Sequence, residues 1–408
     1  MKPELLAPAG DRSKLNTAFY YGADAVYLSG TAFGLRAYAG NFELDEMAQA
    51  VKYAHGIDKK VYVAVNIYAF NDDFGGLKEY IRELERIGAD AVIVSDPGIL
   101  SVVKSVSNLS IHLSTQANTT NKYAAKFWAD QGVSRIILAR ELSLKDIKEI
   151  RDGISADVEL EAFVHGAMCI SYSGRCLLSN FLTGRNGNRG ECVQACRWNY
   201  EVREKSKNGD YLPVEEDGRG TYIFNGKDLN MIEHIDKLVD AGITSFKIEG
   251  RMKSEYYVAT TVNAYRRAID LYAAAPSEYK ADMTLSEELN KIGHRKYTTG
   301  FYLNENNREY TESSKPEQEY DYIADVIDYC DGCAKLVMRN RFKKGDLLEV
   351  LSPRDSFNAQ IKADNLTDDT GCPIDDAKLV QQRLLLKTDV KLKAGDILRR
   401  RNAQNNRR

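Results

Sequence analysis

The first half of the chain repeats one pattern: a stretch of helical periodicity, a glycine, then a short apolar run. It reads YGADAVYLSG at 21–30, IGADAVIVSD at 87–96, QGVSRIILAR at 131–140 and AGITSFKIEG at 241–250. Each glycine (Gly22, Gly88, Gly132, Gly242) fits the position just past a helix end, where a left-handed backbone suits glycine. The runs that follow are apolar at successive positions, as expected of parallel strands covered on both faces. Leu5–Pro8, Lys60–Ile67, Ser110–Thr115 and Val158–Phe163 share this character and bring the strands to eight. Between them, segments such as Leu77–Ile87 and Lys122–Asp130 place apolar residues at helical spacing. Eight β/α units in about 275 residues predict a TIM-like (β/α)8 barrel over residues 1–275. A doubly wound open sheet is the competing layout. Neither a GxGxxG after the first strand nor a GxxxxGK followed by Ser or Thr supports it.

One interval breaks the rhythm. About 60 residues separate the seventh strand from the helix around Leu229–Asp240, where connections of roughly 2–6 are usual. This insert, 167–227, should emerge at the C-terminal mouth of the barrel, where such folds keep their active sites. Residues 276–320 are polar and irregular and read as a linker with a short helix near Leu285–Ile292. From 321 to 408 the pattern becomes alternating strands, predicting a small C-terminal antiparallel β-barrel. Two phrases in it, FKKGDLLEV and LKAGDILRR, repeat a basic-Gly-Asp turn before an apolar run. Its tail, ILRRRNAQNNRR, is basic and is expected either to be a loose, solvated end or to meet RNA phosphates.

Composition adds limits. Of 408 residues, 43% are hydrophobic and 28% charged, and the net charge is −3, so any basic surface must be local. No apolar run reaches the roughly 20 residues of a membrane span, and the start, MKPELLAPAGDRSK, lacks the apolar core of a signal peptide. The expectation is a cytoplasmic protein with no membrane part. In that compartment clustered cysteines point to metal or redox work rather than to disulfides.

Four of the seven cysteines fall in EAFVHGAMCISYSGRCLLSNFLTGRNGNRGECVQACRW, at Cys169, Cys176, Cys192 and Cys196. The segment is rich in glycine and arginine and has little apolar surface to organise it, whereas four thiolates around a metal would do so. Zinc and iron–sulfur clusters both accept four thiolates, and the spacing C-x6-C-x15-C-x3-C does not choose between them. The pair in Cys330-Asp-Gly-Cys333 has another reading. Two alternating runs flank an Asp-Gly turn, so these cysteines belong to a hairpin.

Other candidates surround the insert. His165 closes the seventh strand and could act as a base for a cysteine or line the mouth. Glu161 lies on the same strand. Arg140, Lys247, Glu249 and Arg251 sit at or just past strands six and eight and should face the mouth. Arg140 and Arg251 are candidate carboxylate clamps, because a guanidinium binds a carboxylate through two parallel hydrogen bonds. Pairing with Glu249 and Glu141 is the structural alternative. Arg175, within the insert, is a further substrate-binding candidate. His112, inside an alternating run, is expected in the core or lumen, and no HExxH occurs.

EAFVHGAMCISYSGRCLLS resembles the signature of the collagenase-like peptidase family. GECVQACRWNY, GTYIFNGKDLNMI and SFKIEGRMKS resemble its tRNA-hydroxylation branch, and the likeness covers nearly the whole chain. The resemblance implies an enzyme that makes 5-hydroxyuridine at the tRNA wobble position, dependent on prephenate. It also implies a 4Fe–4S cluster in preference to zinc. In one branch a ligand lies where this chain has Asn225, which makes Cys196 the fourth ligand here. Proteolysis, with a Cys169–His165 dyad, is one alternative function, and a non-catalytic RNA-binding protein is another.

Overall fold

The computed structural model describes residues 2–31, 33–34, 41–169, 171–185, 191–197, 216–217, 220–221, 227–303 and 317–402. Eight parallel strands form the barrel: β1 (Glu4–Pro8), β2 (Ala25–Ser29), β3 (Lys60–Val65), β4 (Ala91–Val94), β5 (Ser110–Leu113), β6 (Arg135–Ile137), β7 (Glu159–Ala167) and β8 (Ser245–Ile248). Each pairs with the next in order, β7 with β8 included. The ring closes where β8 also pairs with β1, setting Leu5 beside Phe246. The four repeated glycines follow helix ends with positive φ, from 81° at Gly132 to 105° at Gly22, so the repeat is the chain's turn from helix into strand. Strand side chains are buried almost without exception, as a sheet covered by helices requires.

Inside the barrel the lower layer is polar. Arg135, at the start of β6, reaches Glu4 of β1 (2.6 Å), Glu161 of β7 (3.2 Å) and Ser245 of β8 (3.3 Å). Burial acts to raise the Glu4 carboxyl, but the Arg135 guanidinium outweighs it and holds that carboxyl below its ordinary range. His112 lies in this lumen edge-on to Tyr62, as expected of a lumen residue, although its Nδ1 is buried with no partner among the described residues.

Two short strands extend β7 outward. Asp228–Asn230 runs antiparallel to it, pairing Asn230 with His165, and Tyr297–Thr298 adds parallel to that strand. The segment read as a linker is therefore integrated into the domain. Helix Met283–Leu289 buries Leu285 and Leu289, and Ile292 and Tyr302 join the main core. These apolar residues are few and separated by charge, so they resemble a solvated connection until helix Glu255–Ala274 provides a surface for them.

The C-terminal domain is a seven-stranded antiparallel sheet in the order Gln360–Lys362, Leu347–Leu351, Ile397–Arg401, Tyr320–Cys330, Cys333–Met338, Arg383–Lys387, Leu366–Asp368. It wraps one apolar cluster that includes Ile323, Leu336, Val350, Leu384 and Leu398. No ladder joins its two edge strands among the described residues, so the expected barrel is an unclosed sheet. Cys330 and Cys333 face each other across Asp331 (φ 52°) and Gly332 (φ 74°), the Asp-Gly hairpin turn. The domain docks on helix Glu255–Ala274 and on the first helix, Arg12–Tyr20. Tyr256 stacks on Tyr322 with ring centroids 5.5 Å apart, and Tyr20 donates to Asp396 at 2.9 Å.

The tail departs from expectation. Arg399 is fully buried and ion-paired with Glu288 and Glu349, and Arg400 pairs with Asp321 and Asp346. Neither can act as a loose phosphate-seeking end, because the chain's last strand is built through them. Residues 403–408, with Arg407 and Arg408, lie outside the described residues. No helix among the described residues is long and apolar enough to cross a membrane.

Candidate active site

A cavity of about 480 Å³ opens at the C-terminal mouth of the barrel. Its floor is Tyr27, Ala64, Ile93, Ile137, Phe163 and Lys247, the last lumen layer of the strands. Cys169, Cys176, Cys192 and Cys196 all contribute to its wall, together with Arg140, Glu249 and Arg251. Residues spread over about 110 positions of sequence are thus gathered at one opening by the βα loops.

The insert is fastened to the barrel by named bonds. Ser173 has a left-handed backbone (φ 42°), and both its N–H and its hydroxyl donate to Glu141 at 2.6 Å. Arg175 donates to the Gln116 carbonyl (2.9 and 3.1 Å) and to the Tyr68 hydroxyl (3.0 Å). Arg175 therefore anchors the insert at the rim rather than lining the cavity, and Glu141 serves Ser173 rather than Arg140. Gly166 is needed where β7 and β8 lose register: its φ is 107°, and a Cβ there would sit 2.5 Å from the Glu249 carbonyl oxygen.

Around the cysteines, the Leu178 N–H donates to Cys176 Sγ at 3.3 Å and the Gln194 N–H to Cys192 Sγ at 3.4 Å. None of the four is in a disulfide among the described residues. Burial pushes the Cys169 thiol up, the neighbouring Cys176 and Cys192 add to this, and the Ser171 N–H and Arg140 oppose it. Among the described residues no three His, Cys, Asp or Glu side chains converge on a single ion. Asn225, the alternative ligand position, lies outside the described residues.

The wall carries five cations (Arg140, Lys247, Arg251, Lys253, Arg295) and two carboxylates, Asp228 and Glu249. Lys247 is offset from below, with Nζ 2.8 Å from Glu161 and lying over the Tyr27 ring. Arg140 lies over Phe163, donates to the Ala167 carbonyl at 3.2 Å and stands 4.0 Å from Glu249. Its Nε is buried with no partner among the described residues. Arg251 is buried and donates to Asn41 at 2.7 Å.

Two expected catalytic groups lie elsewhere. Glu161 is wholly buried beneath the cavity, shared between Arg135, Ser245 and Lys247, because its strand position points it into the polar lower layer. His165 is enclosed by Tyr257, Tyr265 and Tyr297, with ring centroids 5.5–5.9 Å away. Burial pulls it down to about 3, so it is a neutral, packed ring at ordinary pH. No hydrogen bond joins it to Cys169 among the described residues, and the dyad read from sequence is not formed. Sequence reasoning missed Asp228, Lys253, His294 and Arg295, which line the cavity. Apart from Lys253, they belong to the two strands added to β7 and the loop before the second, which the barrel periodicity does not announce.

Comparison with known proteins places this architecture. The model of peptidase family U32 matches residues 10–312, and that of the family's C-terminal domain matches 318–399. The chain is 40% identical to tRNA hydroxylation protein P1 of Bacillus subtilis (strain 168), over 98% of this chain and 95% of that protein. It is 38% identical to tRNA hydroxylation protein P of Escherichia coli (strain K12), over 88% of each. With the 23S rRNA 5-hydroxycytidine C2501 synthase of Escherichia coli (strain K12) it shares 33% identity, over 86% of this chain and 53% of that enzyme. With its barrel, its cysteine-bearing insert and its C-terminal sheet domain, this chain belongs to peptidase family U32.

Proposed function

We propose that this protein is an RNA hydroxylase that acts on tRNA, placing oxygen on C5 of the wobble uridine. The relatives named for tRNA hydroxylation and for a 5-hydroxycytidine product support the reaction class. The observation that carries the reading is the shared cavity: four cysteines of one insert and a surplus of cations line a single cavity of about 480 Å³.

The cysteines suit a 4Fe–4S cluster, with Cys169, Cys176, Cys192 and Cys196 as its ligands. Backbone N–H groups already aimed at two of the sulfurs are the kind of bond that tunes such a cluster. Zinc would ask the thiolates to converge to about 3.8 Å from one another, given tetrahedral Zn–S bonds of ~2.3 Å. A 4Fe–4S cluster asks instead for a wider arrangement, one thiolate per iron. When bound it would supply one-electron chemistry at the mouth.

Arg140, Arg251 and Lys253 would hold the carboxylates of an organic acid co-substrate such as prephenate, drawn in by the excess of positive charge. Single-stranded loops offer unpaired bases that can be splayed into a pocket of this kind, as a wobble base requires. Exposed Phe70, Tyr172, Leu177 and Met252 lie on the loops around the mouth, where they can cover such a base. Proteolysis gains nothing from this geometry, since His165 is caged away from Cys169. The deciding experiment is mass spectrometry of tRNA wobble nucleosides from cells with and without the gene. Loss of 5-hydroxyuridine is expected, and an unchanged level overturns the reading.

A further inference from the structure

We infer that His294 is the group that removes the C5 proton of the target pyrimidine, a role that rests on the hydroxylation reading above. His294 is nearly buried and lines the same cavity as the four cysteines and Arg140. Its Nδ1 lies 2.6 Å from the carbonyl oxygen of Arg295. A carbonyl oxygen can only accept, so Nδ1 carries the hydrogen and the lone pair belongs to Nε2. The tautomer is therefore dictated by the backbone. The ring is also held in plane, stacked on Tyr297 with centroids 4.3 Å apart and planes 9° from parallel. Among the described residues Nε2 has no hydrogen-bond partner. An imidazole locked at one nitrogen, fixed in orientation and left with its basic nitrogen unused in a cavity wall is equipped to take a proton.

The other histidines do not meet these conditions. His165 is shut behind three tyrosines, and His112 lies among the cations of the lumen. Glu249 is close to Arg140, and Glu161 is committed to Arg135 and Lys247.

The step is a proton transfer. Once a two-electron oxygen donor has placed oxygen on C5, that carbon is tetrahedral and still bears its original hydrogen, while C6 carries the positive charge. The C5–H bond breaks, its electron pair re-forms the C5=C6 double bond, and the proton passes to Nε2. Neutral imidazole becomes imidazolium, and the positive charge of the adduct is discharged. No oxidant enters this step.

The test uses substitutions that separate the two ring nitrogens. His294→Asn places an amide N–H near the Nδ1 position and keeps the bond to Arg295, but has nothing at Nε2. His294→Gln places a neutral, non-basic amide near Nε2. Each variant and the parent are expressed in cells lacking the gene. The rate of 5-hydroxyuridine formation in newly made tRNA is then followed by pulse labelling and mass spectrometry. The purified full-length proteins are compared for iron content and for capture of tRNA. Both variants should slow formation by about a hundredfold or more, the usual share of a general base, with iron and tRNA capture unchanged. A rate for His294→Asn within about threefold of the parent, far from that share, overturns the assignment. So does recovery of the parent rate by His294→Gln, or loss of iron or tRNA capture in step with the rate. A parent that forms no 5-hydroxyuridine overturns the hydroxylation reading itself, and this inference falls with it.

Discussion

Arg399, in the chain's last strand, donates from Nη2 to Oε2 of Glu288 at 2.8 Å, while Nη1 meets the other carboxylate oxygen. Both side chains are shut off from solvent, and Nε donates to Glu349 at 2.8 Å. This fork joins the C-terminal sheet to the helix Met283–Leu289 of the barrel domain. Removing one partner leaves a buried charge uncompensated, which typically costs about 3–5 kcal/mol. Arg399→Ala should therefore lower stability to urea by roughly that amount. The double change Arg399→Met with Glu288→Leu should recover much of it. A single variant as stable as the parent would show that solvent reaches the pair.

The cysteine set makes a prediction about metal. Protein purified without oxygen should be brown and contain iron and acid-labile sulfide, as four thiolates around a 4Fe–4S cluster require. Cys169→Ala, Cys176→Ala and Cys192→Ala should each lose both. Cys330→Ala should keep both, since that thiol sits at a hairpin tip in the other domain. Stoichiometric zinc without sulfide would sink the cluster assignment.

The cationic wall makes another. Lysine in place of Arg140 or Arg251 keeps charge but loses the planar fork. A charge-assisted hydrogen bond contributes about 1.5–3 kcal/mol, so a ten- to hundredfold weaker prephenate affinity is expected by titration calorimetry. Equal affinity in both variants would remove these arginines from the acid site.

His165 adds a pH dependence. Its folded value is about 3, against an ordinary 6.5, because burial disfavours the charged ring. The unfolded chain therefore binds a proton below pH 6.5 that the folded chain refuses, so stability falls as pH drops from about 6.5 toward 3. At 1.36 kcal/mol per unit, the loss between pH 7 and 5 is about 2 kcal/mol. His165→Gln should unfold with a pH dependence shallower by about that amount over the same interval. Parallel curves for the two proteins would contradict a neutral, caged ring.

What could be read in the sequence, and what could not, divides by the range of the signal. The eight strands were legible because each is a short apolar run, and four of them are also announced by a helix-ending glycine a few residues earlier, as in Gly88-Ala-Asp-Ala-Val-Ile-Val. The cysteines were legible because they are rare and clustered, and the Asp331-Gly332 hairpin because its turn chemistry is local. Glu161 and His165 were misplaced because alternation along β7 tells which residues point inward but not how deep they lie. His294 was invisible: its meaning comes from Tyr297, the Arg295 carbonyl and a cavity wall completed by residues more than 100 positions earlier. Arg399 looked like part of a solvated basic tail because its partner Glu288 lies 111 residues upstream.

The hydroxyl of Tyr21, just past the first helix, donates to the carbonyl of Leu351 at 2.9 Å and to that of Gly395 at 3.1 Å. These bonds span 330 and 374 residues of chain. At a synthesis rate of roughly 5–20 residues per second, the first of them cannot form until about 20–70 s after Tyr21 is made. For that interval the turn after the first helix presents a tyrosine whose hydroxyl has only water to receive it. Closure of the ring must likewise wait for β8 to reach β1. The nascent chain therefore lives for most of its synthesis as an unclosed stack of β/α units, and its last strands complete a surface laid down by its first helix.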